Sequence, residues 1–112
     1  MHHETIDFYN QNAEELTTQY LRADRSELQR IFRQWIPPGG NILEIGCGCG
    51  LDSVFLASIA DKVTATDASD ELLNQAKRII EEYGISHRVI LKQAVFPLDP
   101  ENPLLKEQFD VI

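Results

Sequence analysis

The segment Asn41–Gly50, NILEIGCGCG, constrains the fold of this chain more than any other stretch. An apolar run that contains Ile42, Leu43 and Ile45 leads into a loop with glycine at positions 46, 48 and 50, and an amphipathic segment follows directly. This order predicts a strand, a glycine loop and a helix. Glycine allows positive φ angles and close approach of a ligand to the backbone, while the free N–H groups of the next helix are partly positive. We therefore predict a nucleotide-type cofactor site at this loop.

The pattern of apolar and turn-forming residues predicts further helices and strands along the chain. The predicted helices are Ile6–Tyr20 with a break near Arg22–Arg25, Ser26–Trp35, Leu51–Ala60, and a helix that Ser69 caps and Gly84 ends. The strands predicted after the glycine loop are Val63–Asp67, Arg88–Lys92 and, after a loop at Gln93–Gln108, the start of a fourth at Phe109–Ile112. Two apolar stripes are predicted to face the core, one at Leu28, Ile31, Phe32 and Trp35, the other at Leu72, Ala76, Ile79, Ile80 and Tyr83.

The alternation of strands and helices predicts an α/β fold with a parallel sheet and helices on both faces, because parallel strands need crossover connections. We expect a single domain over residues 1–112, with an N-terminal helical region at 1–38 and a β/α cofactor-binding core at 41–112. No helix follows the fourth strand, so we expect the domain to be truncated there. The bare sheet edge that results would offer a homodimer contact.

Charge and composition narrow the classes of partner. The formal net charge of −8 disfavours a broad phosphate-binding surface, and so a nucleic-acid partner for this part of the protein. No apolar run reaches the roughly 20 residues that span a bilayer, and no basic segment followed by an apolar one begins the chain. We therefore expect a cytoplasmic protein with no membrane partner. Cys47 and Cys49 are interpreted as small reduced loop residues rather than as a disulfide or a metal site.

The glycine spacing and one acidic residue discriminate between cofactors. A dinucleotide loop has the pattern G-x-G-x-x-G, and counted from Gly46 the third glycine falls on Leu51. A Walker phosphate-binding loop is excluded because no Gly-Lys-Ser/Thr follows the glycines. Glu44 would repel a pyrophosphate but attract the ammonium group of S-adenosylmethionine. Asp67, at the end of the next strand, can accept hydrogen bonds from both hydroxyls of a ribose.

These motifs resemble those of class I S-adenosylmethionine-dependent methyltransferases, over nearly the whole chain. LEIGCGCG matches the family's glycine motif and VTATDAS its second motif, while FDVI resembles the start of the fourth strand and FYNQNAEEL the helix before the glycine motif. The resemblance implies a Rossmann-like methyltransferase fold that binds S-adenosylmethionine. The residues it assigns to the cofactor are Tyr20, Glu44, Gly46, Cys47, Gly48, Gly50, Asp67, Ala68, Gln93 and Ala94.

One position departs from the family pattern. Many members have an acidic residue where this chain has Gln93, and that acid accepts a hydrogen bond from the adenine amino group. The side-chain oxygen of Gln93 can accept the same bond. Tyr9 or Tyr20 is expected to close over the cofactor, as aromatic residues before the glycine motif do in the family.

The resemblance implies transfer of a methyl group to an acceptor that the sequence does not identify, with a small molecule favoured over protein or RNA. In the family, the substrate and any catalytic base are reached largely from elements after the fourth strand, so no residue of this chain is predicted to be catalytic. Two alternatives remain. One is a non-catalytic module that binds the cofactor or a partner, and the other is an NAD-dependent oxidoreductase, which Glu44 and Leu51 disfavour.

Overall fold

Three parallel strands form the sheet in the computed structural model of the protein, which describes residues 3–112. Ile42 lies beside Val63 and Val63 beside Val89, so the carboxyl ends of the strands meet at one edge of the sheet. The predicted α/β fold with a parallel sheet is confirmed, and the predicted bounds of the second and third strands are within one residue of those observed. The strands, in their spatial order, are β1 (Asn41–Ile45), β2 (Lys62–Asp67) and β3 (Val89–Gln93).

The helices precede and connect these strands. The prediction of one helix over Ile6–Tyr20 is wrong, because the chain turns at Asn12, whose Nδ2–H donates to the carbonyl of Phe8 over 2.8 Å. Met1 and His2, which begin the predicted N-terminal region, lie outside the described residues. The helices are α1 (His3–Gln11), α2 (Ala13–Arg22), α3 (Ser26–Trp35), α4 (Leu51–Ala57) and α5 (Asp70–Glu82), with a short 3-10 helix at Pro103–Lys106.

Helix α4 begins at Leu51 as predicted but ends at Ala57 rather than Ala60. Its last turn tightens at Ser58, whose N–H and Oγ–H both donate to the carbonyl of Phe55, at 2.9 and 2.5 Å. A side chain that competes in this way for a helix carbonyl favours a turn over continued helix. The shorter helix follows from this local competition, which apolar periodicity does not reveal.

Helix α5 has both of the ends predicted from the sequence. The Oγ of Ser69 accepts the N–H of Leu72 over 3.2 Å, which is an N-cap. Gly84 has φ +70°, and the N–H of Ile85 donates to the carbonyl of Ile80 over 3.3 Å. This bond closes the helix in the manner expected after a left-handed glycine.

Helices α4 and α5 pack on the same face of the sheet. Val63 is fully buried in a cluster with Leu56 of α4 and Ala76 of α5. On the opposite face, Leu43 packs against Leu104 in the segment after β3. Helices were predicted on both faces, but within residues 3–112 the second face carries this segment instead. Right-handed crossovers that advance in one direction along a sheet place their helices on one side.

The prediction that the apolar stripe of α3 belongs to the core is wrong for most of its residues. Phe32 does pack on the core, with its ring centroid 6.1 Å from that of Phe55. The stripe of α5 is buried as predicted, apart from Tyr83. A helical period identifies an apolar face but not how much of that face a neighbouring element covers. The exposed members of the α3 stripe are Leu28, Ile31 and Trp35.

The predicted fourth strand begins beside β1. Val111 forms a parallel bridge with Ile42, and its carbonyl accepts the N–H of Leu43 over 2.9 Å. The pairing covers one bridge rather than a full strand and lies on the edge of β1 away from β2. No helix in the described part of the chain is long and apolar enough to cross a membrane.

Candidate functional site

The glycine loop connects β1 to α4 and is fixed to the end of β2. The N–H groups of Gly46 and Cys47 both donate to the carbonyl of Thr66 over 2.8 Å. A Cβ placed on Gly46 would meet no atom within 4 Å, whereas a Cβ on Gly50 would lie 3.0 Å from the Cβ of Ala76. Gly50 therefore permits close packing of the loop against α5, and Gly46 leaves open space on the other side.

Three cavities of about 200, 170 and 110 Å³ adjoin one another at Gly46, which lines all three. We call them the loop cavity, the central cavity and the apolar cavity. Seven of the ten residues predicted to bind the cofactor line them. The loop cavity is lined by Tyr20, Arg25, Gly46, Cys47, Gly48, Cys49, Leu51 and Asp52. The central cavity is lined by Tyr9, Tyr20, Gly46, Gly48, Asp67 and Leu72. The apolar cavity is lined by Ile45, Gly46, Asp67, Ala68, Ala94 and Phe96.

Asp67 lies between the central and apolar cavities. Its Oδ2 accepts the N–H of Gly48 over 2.9 Å, and its Oδ1 accepts the N–H of Ser69 over 3.0 Å. The carboxylate thereby joins the glycine loop to the start of α5. A carboxylate has about four acceptor positions, so each oxygen keeps capacity for a ligand hydroxyl.

The apolar cavity has walls from Ile45, Ala68, Ala94 and Phe96. Gln93 lies next to this cavity without lining it. Its Nε2–H donates to the carbonyl of Ala68 over 3.2 Å. The amide nitrogen acts only as a donor, and the side-chain oxygen is the group that can accept a bond from a ligand. The role predicted for Gln93 at an adenine stays a prediction.

An ion pair that the sequence did not suggest lies at the loop cavity. The Nε–H of Arg25 donates to Oδ1 of Asp52 over 3.0 Å, and both side chains are about a quarter exposed. Arg25 falls in the break between α2 and α3, and the two residues are distant in sequence. No local pattern signals such a pair, which depends on how α4 packs. Its presence puts a positive and a negative charge side by side on the cavity wall.

Glu44 lies at the end of β1, hydrogen-bonded to α4. Its Oε1 accepts the Oγ–H of the fully buried Ser53 over 2.5 Å. The pKa of Glu44 is raised to about 7, mainly because the carboxyl is buried; the hydrogen bond from Ser53 lowers the pKa and the negative charge of Asp52 raises it. Glu44 lines a fourth cavity, of about 450 Å³, which adjoins the other three at Gly46. Glu44 therefore lines a neighbouring cavity rather than one of the three named above, and its predicted contact with the cofactor stays a prediction.

Cys47 and Cys49 are free and buried. Loss of water raises the pKa of both thiols, and the negative charges of Glu44 and Asp67 raise that of Cys47 further. Both thiols are therefore neutral near pH 7, and a neutral thiol is a poor nucleophile and metal ligand. Both residues line the loop cavity, and the role predicted for Cys47 at the cofactor stays a prediction.

A second contact that sequence reasoning missed holds α1 against α5. The Oδ1 of Asn10 accepts the Oγ–H of Ser69 over 2.6 Å and the N–H of Glu71 over 3.3 Å. Tyr9, the preceding residue, lines the central cavity. The aromatic residues before the glycine motif are recognisable in the sequence, but the polar contact of the neighbouring Asn10 with α5 is not.

Comparison with known proteins agrees with this geometry. A family model described as "Methyltransferase domain" matches residues 42–112. A curated relative, the probable protein arginine N-methyltransferase 6.2 of Oryza sativa subsp. indica, is 33% identical over 100 residues, which cover 88% of this chain and 24% of that protein. The S-adenosyl-L-methionine-dependent Diels-Alderase iliD of Neonectria sp. is 32% identical over 62 residues, 55% of this chain and 25% of that protein.

A solved structure, the DhpI-SAM-HEP complex, has a similar fold. It superposes with a TM-score of 0.64 at 26% identity, over 81% of this chain and 41% of that one. The chain spans about a quarter of the length of the two curated relatives. The family model nevertheless covers most of the chain, including the glycine loop, Asp67 and β3. The chain therefore belongs to the class I S-adenosylmethionine-dependent methyltransferase family, as its motifs indicated.

Proposed function

We propose that this domain binds S-adenosylmethionine across the three cavities at Gly46 and presents it for methyl transfer to an acceptor. The observation that carries this proposal is the order of the cavities: apolar walls, then a carboxylate, then an ion pair. The cofactor has the same order of parts, with a flat base, a ribose diol and an amino-acid end. Each part of the cofactor would then contact side chains of matching polarity and charge.

The base and the ribose are assigned to the apolar and central cavities. Ala68, Ala94 and Phe96 suit the face of an adenine, because an aromatic ring packs well against apolar side chains. Asp67 borders both cavities and can accept from ribose hydroxyls while it holds the loop. Gln93 beside the apolar cavity can accept from the adenine amino group.

The amino-acid end is assigned to the loop cavity. Arg25 would bind the carboxylate, since a guanidinium donates to a carboxylate through a planar fork. Asp52 would accept from the ammonium group, and the nearby Glu44 adds negative charge when it is ionised. The ion pair between Arg25 and Asp52 thus offers opposite charges to a ligand end that itself carries both.

The same site does not suit a dinucleotide. Glu44, Asp52 and Asp67 place three carboxylates around the glycine loop, and Arg25 is already paired with one of them. A pyrophosphate would face uncompensated repulsion there. Leu51 also occupies the place of the third glycine of a dinucleotide motif.

Bound S-adenosylmethionine supplies a methyl group that its sulfonium already activates for in-line displacement. The residues of this chain have to orient the cofactor and exclude water. Tyr9 and Tyr20, which line the central cavity, supply part of the cover. We assign no catalytic base, and the exposed His87 lies in none of the cavities described. We also propose a small-molecule acceptor, which the net charge of −8 supports over nucleic acid.

Titration calorimetry of the 112-residue chain tests cofactor binding. S-adenosylhomocysteine, which keeps the adenine, ribose and amino-acid end of the cofactor but lacks its methyl group and sulfonium charge, should bind with one-to-one stoichiometry, and NAD should not bind. Binding of NAD without binding of S-adenosylhomocysteine would refute the proposal.

A second candidate is a module that binds the cofactor without methyl transfer. It is supported by the relative described as an S-adenosyl-L-methionine-dependent Diels-Alderase, whose name specifies a reaction other than methylation. Incubation with radiolabelled S-adenosylmethionine and cell-extract fractions, together with sedimentation velocity, separates the two. Labelled small molecules support the methyltransferase. A discrete dimer, formed through the exposed sheet edge and without turnover, supports the module.

A further inference from the structure

We infer that Asn10 is a positioning residue that fastens α1 across the cofactor cleft and thereby slows release of the cofactor. The inference rests on the proposed function, because it concerns the same cleft. It starts from the way in which α1 is attached to the rest of the domain.

Helix α1 is attached only through partly covered side chains, with Ile6, Tyr9 and Asn10 half-buried. None of the side chains of His3–Gln11 is buried, and Phe8, which meets Tyr9 edge to face at 5.6 Å between ring centroids, is 54% exposed. A helix of this length is marginal in water on its own. Its position therefore depends on these partly covered side chains and on the few polar contacts it makes.

Asn10 supplies such contacts at the start of α5. Its Oδ1 accepts from the hydroxyl of Ser69 over 2.6 Å and from the N–H of Glu71 over 3.3 Å. Ser69 is 1% exposed, and its hydroxyl also accepts the N–H of Leu72, so its own geometry is fixed. Glu71 lies in the first turn of α5, where N–H groups have no partner within the helix. Asn10 therefore caps α5 from another helix.

The position of Tyr9 follows from this cap. Tyr9 lines the central cavity together with Tyr20, Gly46, Asp67 and other residues. Gly46 and Asp67 are held by the sheet and the loop, whereas Tyr9 belongs to the weakly attached α1. The wall formed by Tyr9 is thus the one that can move at the lowest free-energy cost. Release of a ligand from the central cavity should proceed by detachment of α1, which breaks both bonds of Asn10.

Surface plasmon resonance with the immobilised chain and S-adenosylhomocysteine tests this inference through separate rate constants. Asn10→Ala should raise the dissociation rate constant about thirtyfold, with an unchanged or higher association rate constant, since both hydrogen bonds of Asn10 to α5 are lost. Asn10→Asp should stay close to wild type, because a carboxylate accepts both bonds and suits a helix N-terminus. Gln11→Ala, at the exposed neighbouring position, should also match wild type.

Two further results keep the inference falsifiable. Hydrogen exchange of the α1 amides in the wild-type chain should slow when S-adenosylhomocysteine is added, whether or not Asn10→Ala folds. The role of Asn10 would be overturned if the wild-type chain binds S-adenosylhomocysteine but Asn10→Ala has the wild-type dissociation rate constant. It would also be overturned if binding leaves hydrogen exchange of the α1 amides unaltered. Neither result would overturn the proposed function. Failure of the wild-type chain to bind would overturn the proposed function, and this inference with it.

Discussion

The Oγ–H of Ser53 donates to Oε1 of Glu44 over 2.5 Å and so joins the first turn of α4 to the end of β1. Ser53 is fully buried, and burial raises the pKa of Glu44 to about 7. The hydrogen bond opposes this shift by stabilising the ionised carboxylate. A charge that changes near neutral pH therefore lies directly next to the glycine loop.

We predict that the affinity for S-adenosylhomocysteine rises as Glu44 ionises, from about pH 6 to about pH 8. The ionised carboxylate attracts the ammonium group of the ligand, whereas the protonated acid does not. Calorimetry across this range measures the effect, and Glu44→Gln should remove it. Ser53→Ala removes a bond that lowers the pKa, so the midpoint should move to higher pH. An equal pH dependence in Glu44→Gln would show that another group is responsible.

The same ionisation should affect the stability of the free chain with the opposite sign. The folded-state pKa of Glu44 lies above its ordinary value of 4.5, so the folded state holds this proton more tightly than the unfolded state. The contribution to the free energy of unfolding is complete below about pH 4.5 and is lost as the pH rises through about 7. Urea unfolding at several pH values should therefore show wild type losing stability relative to Glu44→Gln as the pH rises from about 4.5 to above 7. Parallel pH profiles would contradict the assignment.

Arg25→Ala should weaken S-adenosylhomocysteine by about one to two orders of magnitude, because a charge-assisted bond to the ligand carboxylate is lost. 5′-Methylthioadenosine lacks the amino-acid end, so its affinity should not change. Arg30→Ala is a matched control, since Arg30 forms an exposed ion pair with Glu27 at 3.3 Å and lies in none of the cavities. Equal losses for both ligands would mean that Arg25 supports the fold rather than the ligand.

The sequence predicts those features of the fold and site that depend on residues close together along the chain. Gly46 and Gly48 adopt positive φ angles in the loop, and Ser69 caps α5 as its position after β2 suggested. The contacts of Arg25 with Asp52 and of Asn10 with Ser69 were not predictable, because they join helices that only tertiary packing brings together. The exposure of most of the apolar stripe of α3 was not predictable for the same reason, because it also depends on tertiary packing.

The packing of Gly50 is another feature that the sequence does not predict. The glycine motif marks Gly50 as a cofactor residue, but its missing Cβ accommodates Ala76 of α5 at 3.0 Å. The spacing of glycines along a chain does not reveal which of them faces a ligand and which faces another helix. In the structure Gly46 and Gly48 line the cavities, whereas Gly50 contacts Ala76, and the cofactor role predicted for Gly50 stays a prediction.

Gly48→Val should abolish binding of S-adenosylhomocysteine. A Cβ at this position lies 3.7 Å from the ring of Tyr20, so a valine would project between the loop and α2, where two cavities meet. Its φ of +56° also strains a β-branched residue. Gly84→Val is the matched control, with φ +70° at the end of α5 and open space around it. Calorimetry and circular dichroism of both variants separate a blocked site from backbone strain, and comparable loss of binding in Gly84→Val would contradict a local effect.

Asp67→Ala should weaken S-adenosylhomocysteine by about 2 kcal/mol, or roughly thirtyfold, through loss of charge-assisted bonds to the ribose. Some of this loss will come from the loop, because Gly48 and Ser69 also lose their acceptor. Asp61→Ala is the matched control: its carboxylate accepts the N–H of Gly40 over 3.0 Å at the opposite end of β2. That variant loses the same kind of bond far from the cleft, so its affinity should match wild type in calorimetry. Unaltered affinity in Asp67→Ala, together with unaltered affinity in Gly48→Val, would place the ligand elsewhere.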